Sequence, residues 1–351
     1  MLLAGIGRRF LRLSRLSQSF KHQGSIFPLH MHRGTLRAMT NTLTSPDATP
    51  ASRFAFGTMQ FGGLADEAES RAMFEASLAA GITHFDTAHL YNDGASETLL
   101  GKFIPPHRER LIIATKAGYT GGAGRDNLLA QFDISRRRLG LDHVDILYLH
   151  VFDEATDLNE TLETFALLKS RGQISHVGLS NFAAWQVMKA VCTAARFDLR
   201  ISILQPMYNL VKRQAEVEIL PMCAAEGIAV APYSPLAGGL LTGKYASGGT
   251  GRLIDNDRYA ARYGLGWMHD AARDLAAMAG EMGLHPATLA AAWAARHPAA
   301  PMPILSARSA DQLAPSLAAT GFEMDDALYA RLCALSPAPP PATDRLEEAG
   351  G

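Results

Sequence analysis

The sequence predicts an α/β chain closed into a (β/α)8 TIM barrel, with extra loops and a C-terminal extension. Eight short apolar, β-branched runs alternate with segments of helical period from Arg53 onward. The runs are almost continuously apolar, as in parallel strands covered by helices. No Gly-x-Gly-x-x-Gly turn follows the first run, which removes the main support for an open doubly wound sheet.

The strand candidates are 53–58 (RFAFGT), 82–86 (ITHFD), 111–115 (LIIAT), 144–149 (VDILYL), 174–179 (ISHVGL), 201–204 (ISIL), 228–232 (IAVAP) and 302–305, with Pro303 inside the last. Between them, apolar residues recur at three and four over 67–80, 95–103, 126–139, 158–171, 182–195, 214–226, 268–282 and 286–297. Leu158, Leu162, Phe165, Ala166 and Leu168 show that spacing. No Pro/Gly/Ser linker divides residues 51–336, so one barrel domain is expected there, and the Pro-, Ala- and Glu-rich 337–351 reads as a loose tail.

Residues 1–50 differ in kind. No acidic residue occurs before Asp47, while seven Lys and Arg alternate with Leu, Ser and Phe. That composition fits a targeting segment or an upstream start included in error, with Met39 as an alternative start. The segment is expected to be a disordered or non-native extension outside the fold.

A chain of 351 residues with 48% hydrophobic and 19% charged residues can bury a large core. Its formal charge of −1 and lack of a basic stripe argue against nucleic-acid binding, and no apolar stretch is long enough to span a membrane. Cys192, Cys223 and Cys333 are an odd, scattered set without ligand spacing, so neither disulfides nor a metal site is expected, and a reducing, cytoplasmic setting fits. Oligomeric state is not legible.

The residues that follow each strand carry the chemistry. Asp86 and Tyr91 follow the second run, Lys116 the third, His150 the fourth, Ser180 and Asn181 the fifth, Gln205 the sixth, and Tyr233 and Ser234 the seventh. Taken singly, each has a structural explanation: Asp86 as a cap, His150 as a core histidine, Lys116 snorkelling to solvent, Ser180 and Asn181 as helix caps. Together they fall on the C-terminal rim, where barrel enzymes keep their active sites. A phenol with an ordinary pKa near 10 is a poor proton donor at neutral pH. Lys116 would lower the Tyr91 pKa, Asp86 would balance Lys116, and His150 would orient a carbonyl oxygen toward Tyr91. Hydride from a nicotinamide is the matching source of electrons. Ser180, Asn181 and Gln205 can then bond a carboxamide, and Tyr233 offers a ring face for stacking.

Two segments suit a dinucleotide's phosphates. In "SPLAGGLLTGK" (234–244), Gly238, Gly239 and Gly243 permit close backbone approach and Lys244 adds charge; "SARSADQL" (306–313) follows the last strand and opens a helix. Arg308 suits a phosphate monoester, favouring NADP(H) over NAD(H).

The stretches "FDTAHLYNDGASETLLGK", "IIATKAG", "DILYLH", "VGLSNF", "LQPMYNL", "YSPLAGGLLTGKY" and "ARSADQL" together resemble, in order, the motifs of the aldo-keto reductase superfamily. The resemblance covers residues 56 to about 320. It implies NAD(P)(H)-dependent oxidoreduction of aldehydes or ketones, with Asp86, Tyr91, Lys116 and His150 as the catalytic four and Tyr91 as general acid. It further implies that Ser180, Asn181, Gln205 and Tyr233 hold the nicotinamide, and that Gly57, Thr58 and Met59 lie beneath it. Ser234, Leu236, Gly238, Lys244, Ser306, Arg308 and Gln312 match positions at the phosphates and adenosine. Three departures stand out: the hairpin that usually precedes the first strand is only a degenerate trace, and Ser306 and Ser316 replace a common Gly and Asn. Two rivals to a carbonyl reductase follow from the same residues: an NADPH-binding regulatory subunit with slow or no turnover, and a Schiff-base aldolase using Lys116.

Overall fold

In the computed structural model, residues 43–245, 248–343 and 345 are described. Eight strands, β1 (Ala55–Gly57), β2 (His84–Asp86), β3 (Ile112–Ala117), β4 (Val144–Leu149), β5 (Ile174–Ser180), β6 (Ile201–Gln205), β7 (Ala229–Val230) and β8 (Ile304–Leu305), pair in parallel in the order β7-β6-β5-β4-β3-β2-β1-β8. The two ends of that order also meet. Met302 N–H donates to the Val230 carbonyl at 2.8 Å and Ile304 N–H to the Pro232 carbonyl at 2.9 Å, which closes the barrel. Pro232 accepts across this seam but, lacking an N–H, cannot donate across it.

Helices α1 (Glu67–Ala79), α2 (Ala95–Phe103), α3 (Arg125–Leu139), α4 (Leu158–Ser170), α5 (Ala184–Ala194) and α6 (Ile219–Glu226) follow the first six strands. After β7 come α7 (Arg252–Asp255), α8 (Asp257–Tyr263), α9 (Gly266–Glu281) and α10 (Pro286–Arg296), and after β8 come α11 (Ala310–Leu317) and α12 (Asp326–Cys333). The helix expected over 214–226 begins only at Ile219. Pro221 is the reason: a helix running through it would set its ring against the carbonyl of residue 217, whereas in the first turn no N–H is needed. The segment 252–263, which carries no strong apolar period, forms α7 and α8.

Alternation along each strand makes two cores. Ala55, Ile112, Ala114, Ile146, Tyr148, Ile203, Ala231, Met302 and Ile304 fill the barrel, while Phe54, Phe56, Phe85, Leu147, Val177 and Leu204 pack outward with helix residues such as Phe74, Phe132 and Phe165. Tyr148 fits inside only because residue 178 is Gly; a Cβ there would sit 2.3 Å from Tyr148 Cδ1.

The N-terminal boundary needs correction. Residues 43–50, expected to belong to a disordered extension, form a small hairpin in which Thr44 bridges Pro50 and Ser45 N–H donates to Thr49 C=O at 2.8 Å. Leu43 is fully buried among the barrel-filling residues and plugs that end of the barrel. An Asp47 turn holding Ser45 and Thr49 makes the hairpin, with little apolar pattern to announce it. The remaining part of the expected extension, 1–42, lies outside the described residues. From 337 to 343 the chain has neither helix nor strand.

Candidate active site

Strand register sets the site. Asp86 is the last residue of β2, Lys116 lies near the end of β3, and His150 directly follows β4, so parallel pairing carries all three to one rim. Lys116 Nζ donates to Asp86 Oδ1 and, at 2.7 Å, to the Thr87 carbonyl. Both residues are almost inaccessible, Lys116 at 0% and Asp86 at 2% exposure. The second Asp86 oxygen accepts the Gln205 side-chain amide at 2.9 Å. Burial pulls the Lys116 pKa down, but Asp86 and Tyr91 pull it up further, so the ammonium persists.

Tyr91 is brought to this pair by the β2–α2 turn. Lys116 Nζ lies 5.1 Å from the centre of the Tyr91 ring, and the Tyr91 and His150 rings meet edge to face at 6.1 Å and 83°. The expected lowering of the phenol by Lys116 is present but outweighed: burial is the largest influence, Asp86 adds to it, and the Tyr91 pKa is raised overall. Burial, followed by repulsion from Lys116, holds His150 down at about 3, so the ring is neutral, and its buried Nδ1 has no hydrogen-bond partner. The Tyr119 ring covers it at 4.9 Å.

Ser180, Asn181, Gln205 and Tyr233 are joined by hydrogen bonds. Ser180 Oγ donates to the Gln205 backbone carbonyl at 3.1 Å, Asn181 Nδ2 donates to Ser180 Oγ at 3.2 Å and to the His150 carbonyl at 3.0 Å, and Tyr233 OH donates to Asn181 Oδ1 at 2.7 Å. Asn181 takes a left-handed φ of 58°, which turns its amide back over the rim. The Gln205 side-chain amide nitrogen donates to Asp86 Oδ2, which ties this group to the ion pair. Burial pushes the Tyr233 phenol up to about 12.

Gly57, Thr58 and Met59 serve the frame beneath. A Cβ on Gly57 would sit 2.7 Å from Ile304 Cγ2. The Thr58 hydroxyl is buried against the Asp86 carbonyl (3.2 Å) and Ser96 Oγ (2.8 Å), and the Met59 carbonyl accepts Asn92 Nδ2 at 2.8 Å.

Because β7 and β8 adjoin at the seam, the two expected phosphate segments lie on neighbouring loops. Ser234 has φ 61°, and its carbonyl accepts Asn209 Nδ2 at 2.9 Å. Leu236 is half-buried and precedes a turn in which Gly238 and Gly239 have φ 66° and 99°. Helix α8 closes against that turn: a Cβ on Gly238 would be 2.7 Å from Tyr259 Cδ1. Lys244 Nζ stands 4.8 Å from the centre of the Tyr245 ring. Across the seam, Ser306 Oγ is buried without a partner, Ser309 Oγ accepts Gln312 N–H at 3.3 Å, and Arg308 has no carboxylate within ion-pair distance among the described residues.

Sequence reasoning passed over His84. It shares a strand face with Asp86 two residues later, is wholly buried, has no partner for either ring nitrogen, and is held by burial at about 4. The alternation within "ITHFD" was the available signal. Among the described residues no cluster of three or more His, Cys, Asp or Glu could hold a metal ion, and no helix is long and apolar enough to cross a membrane.

A sequence model of the Aldo/keto reductase family aligns with residues 53–336. This chain belongs to the aldo/keto reductase family. Among relatives of this aldo/keto reductase, the "Uncharacterized oxidoreductase YrpG" of Bacillus subtilis is 31% identical over 308 residues, covering 82% of the present chain and 93% of the relative. Human "Aflatoxin B1 aldehyde reductase member 2" is 39% identical over 203 residues, 56% of each chain. A rice protein named "Probable voltage-gated potassium channel subunit beta" is 31% identical over 287 residues, 76% of this chain and 87% of its own. The family and its oxidoreductase-named members make this aldo/keto reductase an oxidoreductase-type barrel.

Proposed function

We propose that the protein is an NADP(H)-dependent reductase of aldehydes or ketones. The observation that carries this reading is the buried Lys116–Asp86 ion pair held beside Tyr91 and His150 at the mouth of the barrel. When bound, a reduced nicotinamide would supply the hydride. The residues present suit such a group: the half-exposed, left-handed Gly238–Gly239 turn lies beside Lys244, Ser306 Oγ is buried and unpartnered, and Arg308 has no competing carboxylate among the described residues. Ser180, Asn181, Gln205 and Tyr233 would orient the nicotinamide; Leu236, Gly238, Lys244, Arg308 and Gln312 would hold the rest.

The protein's own chemistry is then proton delivery. Neutral His150 can donate to a carbonyl oxygen but cannot compete as an acid, since its conjugate acid is suppressed. Tyr91 donates the proton as charge develops on that oxygen, and the Lys116 ammonium stabilises the phenolate left behind. Asp86 keeps the ammonium in place. Exposed Leu90, Tyr119, Trp185, Ile254 and Trp267 all lie on segments that follow strand ends, which favours an apolar carbonyl substrate. Three unpaired cysteines agree with a reducing compartment such as the cytoplasm.

A regulatory NADPH-binding subunit is the second reading, favoured by similarity to the protein named as a channel subunit. An aldolase fits less well, because a Schiff-base lysine must lose its proton and Lys116 is held charged. Steady-state assay at 340 nm over a panel of aldehydes and ketones, with NADPH titrated by fluorescence, separates the readings. Tyr91→Phe should lose at least ~100-fold in kcat and keep NADPH affinity. Unchanged turnover in that variant defeats the general-acid assignment, and tight NADPH binding without reduction of any carbonyl favours the regulatory reading.

A further inference from the structure

Tyr91 stands on an improbable piece of backbone. The three residues after it, Asn92, Asp93 and Gly94, have φ of 50°, 51° and 92°, a run of left-handed conformations that costs the two non-glycine residues on the order of 1 kcal/mol each. Such a turn persists only if outside contacts over-determine it. On one side, Asn92 Nδ2 donates to the carbonyls of Met59 and Phe61, both at 2.8 Å. On the other side stands a single guanidinium.

Arg138, in the last turn of α3, donates through Nη1 to the His89 carbonyl at 2.9 Å and through Nη2 to the Asp93 carbonyl at 3.3 Å. Those carbonyls lie two residues before and two residues after Tyr91. The guanidinium is itself held by Glu97 Oε2 at 3.1 Å. Glu97 is fully buried, and its other oxygen accepts Thr115 Oγ1 at 2.6 Å. Thr115 immediately precedes Lys116 on β3. One continuous chain of bonds therefore runs from the strand that carries the ammonium, through Thr115, Glu97 and Arg138, to both flanks of the phenol. Gly94 leaves room for it: a Cβ there would lie 2.1 Å from Arg138 Cζ. Gly101 lets α2 approach the carbonyls of Arg138 and Leu139 closely.

We infer that Arg138, locked by buried Glu97, is a positioning residue that sets the place of Tyr91 relative to Lys116. The inference rests on the general-acid reading of Tyr91 and deepens it. A planar fork is suited to bridging two carbonyls and a carboxylate at once, which an ammonium on a flexible stem is not. Displacing a reacting group by about 1 Å can cost on the order of 100-fold in rate.

The test uses the full chain with NADPH and 4-nitrobenzaldehyde. Arg138→Met and Arg138→Lys should lower kcat by roughly 10- to 100-fold, Arg138→Lys less, with NADPH affinity within about twofold of the parent. Gly94→Ala, which keeps every charge but meets the guanidinium at 2.1 Å and also strains a φ of 92°, should show at least the same split, and the double variant should be little worse than the worse single one. Amide hydrogen exchange supplies a readout independent of turnover: peptides spanning 88–96 should exchange about tenfold faster in each variant, while β6 is unchanged. Parent-like exchange over 88–96 in Gly94→Ala and Arg138→Lys overturns the inference, as does parent-like kcat in these variants beside an inactive Tyr91→Phe. Full turnover in Tyr91→Phe instead defeats the underlying reading. Should Arg138→Met fail to fold, Arg138→Lys decides alone.

Discussion

Gln205 and Lys116 hold opposite oxygens of one carboxylate, Asp86: the Gln205 amide donates to Oδ2 at 2.9 Å and the Lys116 ammonium to Oδ1. Three strands, β2, β3 and β6, are thus tied across the barrel interior at the level where the rim begins. A buried ion pair of this kind is weak grounds for stability as a unit, but removal of one member leaves an uncompensated charge. Lys116→Met should therefore cost about 3–5 kcal/mol in unfolding free energy. Urea denaturation of the variant measures it; a loss below about 1 kcal/mol would mean that water or rearrangement neutralises Asp86.

The packing of Tyr148 gives a second prediction. Gly178→Ala places a methyl 2.3 Å from a fully buried ring carbon on the neighbouring strand, with no flexible side-chain end to give way. Overpacking of that sort costs typically 1–3 kcal/mol. The denaturation midpoint should fall with the slope unchanged; a parent-like midpoint would show that the ring can move.

Acid stability should be set partly by two histidines. His84 and His150 have folded pKa values of about 4 and about 3 against 6.5 when solvated, so the unfolded chain accepts protons that the folded chain refuses. Their contribution is intact above pH 6.5 and is lost as pH falls, down to about 4 for His84 and about 3 for His150, with a slope approaching ~1.4 kcal/mol per pH unit for each group. His84→Asn should flatten that limb when unfolding free energy is measured between pH 7 and pH 4. An unaltered slope would count against a buried neutral His84.

Cofactor choice should depend on Arg308. Its guanidinium has no carboxylate partner among the described residues, and a hydrogen-bonded charge pair with a phosphate monoester is worth roughly 1.5–3 kcal/mol. Arg308→Ala should weaken NADPH about 10- to 100-fold and NADH by less than about threefold, read by fluorescence titration. Equal weakening of both would assign Arg308 to the shared pyrophosphate instead.

Much of the architecture was legible because it is periodic. Strand and helix periods, and the polar residues placed just after each apolar run, are local properties of the chain, and from them came the eight-unit barrel and the convergence of Asp86, Lys116, His150, Ser180 and Gln205 on one rim. Tyr91 was legible by its distance from a strand end. The hairpin at 43–50 was not, because a polar turn with one buried leucine carries no period, and α7 and α8 were not, because their order comes from packing of Tyr259 on the Gly238 turn and of buried Leu253 and Tyr263.

What the amino-acid sequence determined by itself is the order of elements and the chemical types presented at the strand ends, since backbone periodicity and side-chain identity are written residue by residue. Tertiary contacts alone settle that burial raises the Tyr91 phenol against the pull of Lys116, that Gln205 is engaged with Asp86, that Met302 and Ile304 close the barrel onto Val230 and Pro232, and that Arg138 grips both flanks of Tyr91. Each of these depends on groups far apart in the chain meeting at hydrogen-bond distance in a space without water, where small distances govern electrostatics and no local pattern records the partner.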